Sequence, residues 1–333
     1  MKKSVLNSTL KTRKEFSLKR LKLIETKINK IVELRKYKNL CIYITGSYGR
    51  HEATKYSDLD IFFISFGKNS TSPISRLSKT LIDAEFIKIA KAMGFPPFSK
   101  DGEFLQIHYL DDIKDHLGSR NDDFSNYFTA RLLLLLESYP LYDETFYKKV
   151  IKGMISTYYR DFHDHVTDFL PIFLVNDIIR YWKTLCLNYE HSRHRQNPSK
   201  RLKTHVKNLK LVFSRKLTCF SLIIAIVSKY RSKKVLNEKT LLDIVCSTPI
   251  QRLEKVIIEN PDVYDMVREI LELYSWFIKI NNQPEPRLLK WIAKKGNRDY
   301  AFLKGRKEFG GKIFTLLEKL TEESPELLKY LVI

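Results

Sequence analysis

The stretch Ile42-Tyr43-Ile44-Thr45-Gly46-Ser47-Tyr48-Gly49-Arg50, followed at once by His51–Ser57 and then by Asp58-Leu59-Asp60-Ile61-Phe62-Phe63-Ile64, decides the reading of this chain. An apolar strand runs into Gly46-Ser47, a short polar crossing follows, and a second apolar strand begins with Asp58 and Asp60. Side chains alternate along a strand, so carboxylates two residues apart point the same way, about 6.6 Å apart at about 3.3 Å per residue. They are set to converge on a cation. Hard divalent ions such as Mg²⁺, or Mn²⁺ in its place, take oxygen ligands and combine one or two carboxylates with substrate phosphates. Two such ions hold the attacking and leaving oxygens of an in-line displacement.

The other end of the stretch supplies the complement. Gly46 has no Cβ, so backbone approaches a ligand closely there, and Ser47 offers a hydroxyl where Tyr48-Gly49-Arg50 opens a helix. That is a seat for phosphate. The expected ligand is a nucleoside triphosphate (NTP), held by its tail at Gly46, Ser47 and Arg50 with its α-phosphate toward metal on Asp58 and Asp60.

Gly46-Ser47, ten intervening residues and Asp58-Leu59-Asp60 resemble the signature of the DNA polymerase β-like nucleotidyltransferase superfamily. The fuller string Gly-Ser-Tyr-Gly-Arg followed by Ser-Asp-Leu-Asp is similar to the subgroup of PII uridylyltransferases and glutamine-synthetase adenylyltransferases. The resemblance covers about two dozen residues and is specific through its paired spacing. It implies an α+β fold, a small mixed-sheet nucleotidyltransferase domain followed by an all-α helical domain. It also implies a third carboxylate on a neighbouring strand. The strand expected is Glu103–His108, with Gln106 where an acid would stand in mid-strand; Glu103 is the first candidate for catalysis and metal binding, and Asp101 the second. Asp111-Asp112 read as the acidic first turn of a helix.

Composition frames the site. The chain has 333 residues, 44% hydrophobic, enough for two domains with real cores. Its first 20 residues are basic and lack the apolar core of a secretory signal. The apolar runs Leu132–Leu136 and Leu222–Val227 fall short of a membrane span, so no membrane is expected among the partners. Cys41, Cys186, Cys219 and Cys246 sit widely spaced in apolar periodic segments, and read as core residues of a cytoplasmic protein. His163 and His165, two apart, fall on different faces of a helix and make a poor metal site. A net charge of +21 favours polyanions, so RNA or an acidic protein joins the triphosphate as a candidate partner.

Three parts are expected: a basic amphipathic helical segment over 1–39, a catalytic domain over 40–125, and a helical domain over 126–333. The first interleaves Phe16, Leu18, Leu21, Leu23, Ile24, Ile28, Ile31, Val32 and Leu34 among Lys and Arg, the pattern of an amphipathic helix packing on the next domain. In the last, Asn176, Arg180 and Lys183 share one helix face. Arg-Tyr-Trp-Lys there resembles the segment that lends a cation to the triphosphate in several polymerase β-like enzymes, so Arg180 and Lys183 are nucleotide-binding candidates. Lys203, Lys207 and Lys210 form a basic ridge on the next helix. The implied reaction moves a nucleoside monophosphate from NTP to an acceptor: a protein side chain, an RNA end or a small molecule. The alternative is a nucleotide-binding or regulatory module that keeps the fold without the chemistry.

Overall fold

The computed structural model describes residues 5–69, 74–98, 102, 105–194 and 198–329. It divides into two units, Thr12–Arg160 and a second made of Met1–Lys11 together with Asp161–Ile333. Helix α1 (Ser8–Ile28) therefore begins in one unit and continues in the other.

The first unit is built on strands β1 (Leu40–Ile44) and β2 (Ile61–Ser65), paired antiparallel from Leu40↔Ser65 to Ile44↔Ile61. Between them stands the short helix α2 (Gly46–Gly49). After β2, α3 (Arg76–Ala92) is the crossover that lets β3 (Ile107–Tyr109) join β2 in parallel. Helices α4 (Leu110–Asp115), α5 (Arg120–Phe124) and α6 (Tyr127–Glu137) lead to β4 (Tyr139–Tyr142), which pairs antiparallel with β1, and α7 (Glu144–Ser156) follows. The sheet order is β3-β2-β1-β4. Asp111 and Asp112 open α4 as read from the sequence.

Both strands of the central pair are buried on both faces. Ile42, Ile44, Ile61 and Phe63 meet Leu21, Ile24, Ile82 and Phe86 from α1 and α3. The alternate residues face the other way: Tyr43 stacks on Phe62 at 5.5 Å and meets Tyr147 of α7 at 6.3 Å.

Four expectations are corrected. Asp58 and Asp60 lie in the lead-in to β2, which starts at Ile61. β3 begins only at Ile107. The helical domain does not begin at 126, because β4 completes the sheet; its Pro140 is tolerated because β4 is an edge strand. Cys246 is exposed, while Cys41 and Cys219 are buried.

The second unit holds α8 (Ile172–His194), α9 (Pro198–Lys210), α10 (Lys216–Lys233), α11 (Glu238–Val245), α12 (Pro249–Glu259), α13 (Tyr264–Asn281), α14 (Glu285–Ala293), α15 (Lys295–Leu303) and α16 (Gly310–Leu320). Two π-helical turns interrupt it, Leu211–Arg215 and Lys304–Phe309. The run Arg201–Lys233 is helical throughout, longer than the separate apolar runs suggest, and by length and composition alone it would cross a membrane. Its apolar window is 83% buried inside the protein, with α8, α11, α12 and α16 packed on α10, so it is the central helix of this unit. Arg252, fully buried, donates to the carbonyls of Ile244 at 3.0 Å and Val245 at 3.1 Å, satisfying the end of α11. The first residues belong here: Leu10 is buried, and Asn7 Oδ1 accepts from the Ser275 hydroxyl at 3.0 Å.

Candidate nucleotide site

The site is assembled by the crossing from β1 to β2. Thr45 N–H donates to the Asp60 carbonyl at 2.8 Å, continuing the register one pair beyond Ile44↔Ile61. The chain then turns sharply, with Gly46 at φ +67°, and closes α2 by bonds from Gly49 N–H to Thr45 and from Arg50 N–H to Gly46. Glu52 N–H returns to the Ser47 carbonyl at 2.8 Å and ties off the turn.

The glycines in the turn are required by what lies beside them. A β-carbon on Gly46 would stand 2.3 Å from Asp60 Oδ2, so only glycine lets this carboxylate lie against the turn. A β-carbon on Gly49 would stand 2.0 Å from the Glu137 carbonyl oxygen, which is how α6 packs on the turn.

Asp58 flanks the same turn through Tyr48. Burial raises the Tyr48 phenol above its ordinary pKa; Arg20 beside it opposes that rise, and the Asp58 carboxylate adds to it. Tyr48 is 1% exposed and meets Phe95 edge-on at 5.7 Å, while Arg20 lies 4.5 Å over the Phe95 ring and donates to the Met93 carbonyl at 2.9 Å. Phe95 also lines a cavity of about 500 Å³, together with Ile87, Ala90, Phe98 and Leu105. The Asp58 and Asp60 side chains are half-buried, as is Ser47.

Both carboxylates are thus brought to the Gly46–Gly49 turn. They are hard oxygen donors beside a backbone cleared of side-chain bulk, a donor set that fits Mg²⁺ or Mn²⁺ shared with phosphate oxygens. Glu103 and Asp101, named for the third carboxylate, lie outside the described residues. Among the described residues no three His, Cys, Asp or Glu side chains gather, His163 and His165 included.

Arg50 does not turn toward a phosphate. Its side chain is 8% exposed and pairs with Glu52 at 2.9 Å and with Glu137. This buried triad fixes the exit of the turn, and it is not legible locally because Glu137 follows a run of leucines 87 residues away. Tyr48, Arg20 and Phe95 were equally hidden, their meeting being a product of packing by α1 and the break after α3.

Arg180 and Lys183 belong to the other unit. Both sit on α8, Arg180 3.9 Å from Asp177 and Lys183 exposed to solvent. Lys203, Lys207 and Lys210 are exposed on α9, with Lys203 paired to Glu285 at 3.0 Å.

Among curated proteins none matches the chain. Residues 25–130, which hold the Gly-Ser turn, both aspartates and strands β1 and β2, match the family described as nucleotidyltransferase domain.

Proposed function

We propose that the domain at 25–130 transfers a nucleoside monophosphate from an NTP to an acceptor and releases pyrophosphate. The observation that carries this reading is the fit of Asp60 against Gly46, which sets a carboxylate beside the turn expected to hold phosphate. In the reaction an acceptor oxygen or nitrogen attacks the α-phosphorus, the bond to the bridging oxygen of the β-phosphate breaks, and that oxygen leaves with pyrophosphate. Ser47 and the amides at the head of α2 hydrogen-bond phosphate oxygens, since the first amides of a helix have no partner within it. Asp58 and Asp60 would hold Mg²⁺ or Mn²⁺, which when bound neutralises phosphate charge and keeps the displacement in line. Arg50, with Glu52 and Glu137, positions the turn. The kinship to uridylyl- and adenylyltransferases rests on the Gly-Ser-Tyr-Gly-Arg string followed by Ser-Asp-Leu-Asp.

Purified protein incubated with each labelled NTP and Mg²⁺ tests the reading. Pyrophosphate release is expected, and the label's destination names the acceptor: the chain itself, an added protein, RNA or a small product. Nucleotide binding with no release for any of the four NTPs, with every acceptor class added, would favour the binding module instead.

A further inference from the structure

The basic residues of the helical unit are not spread evenly. No Asp or Glu occurs between Glu190 and Glu238, while Lys and Arg recur throughout. On α9, at about 100° per residue, Arg201 and His205 share one side and Lys203, Lys207 and Lys210 the opposite one. The expected ridge is therefore only half of the helix, and its other half meets further cations.

His205 packs on Phe302 of α15, ring centroids 5.9 Å apart, and its Nδ1 is buried with no hydrogen-bond partner. Burial and then the charges of Arg298, Arg201 and Arg193 hold this imidazole below its ordinary pKa. Arg193, at the end of α8, also acts on Tyr189, as does Arg306 from the second π-turn. Arg306 in turn acts on Lys216, the first residue of α10, whose pKa is lowered chiefly by burial. The Lys216 ammonium lies 5.7 Å over the Trp182 ring and 2.8 Å from where a β-carbon on Gly310 would be. The two π-turns pack directly on each other, Gly305 leaving room for Val212 and Phe213; π-turns recur at functional sites.

Positive charge thus recurs from the half-buried Lys216 through Arg306 and Arg193 to Arg201 and Arg298, with Trp182, Tyr189, His205 and Phe302 among them. Acids are few there: Glu190, which also acts on Tyr189, meets Arg193 at 3.4 Å and His194 at 3.6 Å, and Asp299 lies 3.8 Å from Arg298. Arg201 and Arg306 are exposed, and half of the Arg193 side chain is open to solvent. A merely solvated surface intersperses both signs. A cationic track with aromatic faces suits a phosphodiester strand whose bases are unpaired and free to stack.

We infer that this band of the helical unit, Arg193, Arg201, Arg298, Arg306 and Lys216 with Tyr189 between them, binds a single-stranded nucleic acid. The inference does not depend on nucleotidyl transfer, because it is read by binding with no triphosphate present.

The test is fluorescence anisotropy of the full chain with labelled oligouridylate and oligodeoxyuridylate of about 16 nucleotides, over a salt series, with a duplex of equal length and inorganic polyphosphate as competitors. Both single strands are expected to bind, with affinity falling by a log–log slope of about 0.7 per phosphate contacted; the difference between them assigns the sugar. R193Q/R306Q should weaken binding at least about tenfold and lower the slope by about 1.4. Y189A should weaken the strands by about tenfold and leave polyphosphate unaffected. K203Q/K207Q/K210Q, on the opposite side of α9, should stay near wild type. Unchanged melting temperature shows that each variant is folded; all the substituted side chains but Tyr189 are half-open or exposed. Absence of salt-dependent binding by wild type, wild-type affinity in R193Q/R306Q, or duplex and polyphosphate competing as well as single strands would overturn the inference.

Discussion

Arg50 and Glu137 form a buried ion pair that joins the exit of the Gly46–Gly49 turn to the last residue of α6, with Glu52 on the second edge of the same guanidinium. Breaking a buried pair from one side leaves uncompensated charge. Arg50→Met should therefore cost about 3–5 kcal/mol of stability. Changing Glu52 and Glu137 to Gln in the same chain should recover part of that loss, because neutral amides tolerate burial better than orphaned carboxylates. Urea unfolding of the single and triple variants measures both; a single variant as stable as wild type would show that the triad does not hold the turn.

Gly46→Ala meets two obstacles at once, a left-handed backbone and the Asp60 carboxylate. The conformation alone costs about 1–3 kcal/mol. Displacing Asp60 by even an ångström should lower pyrophosphate release by about 10²-fold, with Asp60→Ala in the same chain relieving the clash and recovering only the part of the stability lost to it, and no turnover.

Asp58→Asn and Asp60→Asn keep shape and remove charge. Turnover should fall by orders of magnitude in each. Independently of turnover, Mn²⁺ with a non-hydrolysable NTP analogue should raise the melting temperature of wild type, as any ligand of the folded state does, and should not raise that of Asp60→Asn. An equal shift in both would remove the cation from these carboxylates.

His51 and His108 are buried, and burial pushes both imidazoles down to about 4 from an ordinary value of 6.5. Between those values the unfolded chain binds the protons and the folded chain does not. Stability is thus whole above about pH 6.5 and is lost as pH falls toward 4, by about 2 kcal/mol per histidine on reaching pH 5. His108→Leu should remove roughly half of that acid sensitivity in urea midpoints taken at pH 7 and pH 5. A slope unchanged by the substitution would place the loss elsewhere.

What could be read from sequence was local. Apolar runs on either side of Gly46-Ser47 and Asp58-Leu59-Asp60 give β1, the turn and β2 because strand alternation and glycine freedom act over a few residues. The apolar residues interleaved over 16–28 give α1 by helical period, with Leu21, Ile24 and Ile28 buried while Leu18 and Leu23 of the same pattern face solvent. The exact start of β2 was not legible, since an aspartate in a strand and one just before it look alike. β4 was missed because Pro140 reads as a break until its neighbour is known to lie on one side only. Arg50 reads as a phosphate ligand until its partner Glu137 is known, and no local period shows that Arg298 of α15 acts on the same imidazole as Arg201.

The sharing of α1 sets an order for the making of this protein. Asn7 and Leu10 precede Thr12–Arg160 in the chain and Ser275 follows it, so the unit that carries the Gly-Ser turn is in effect an insertion within the helical one. The opening residues must wait, unpaired, while all of Thr12–Arg160 is made. Closing so long a loop is slow compared with local folding. A fragment starting at Asp161 would consequently lack Leu10 and the Asn7 partner of Ser275, which belong to its own unit.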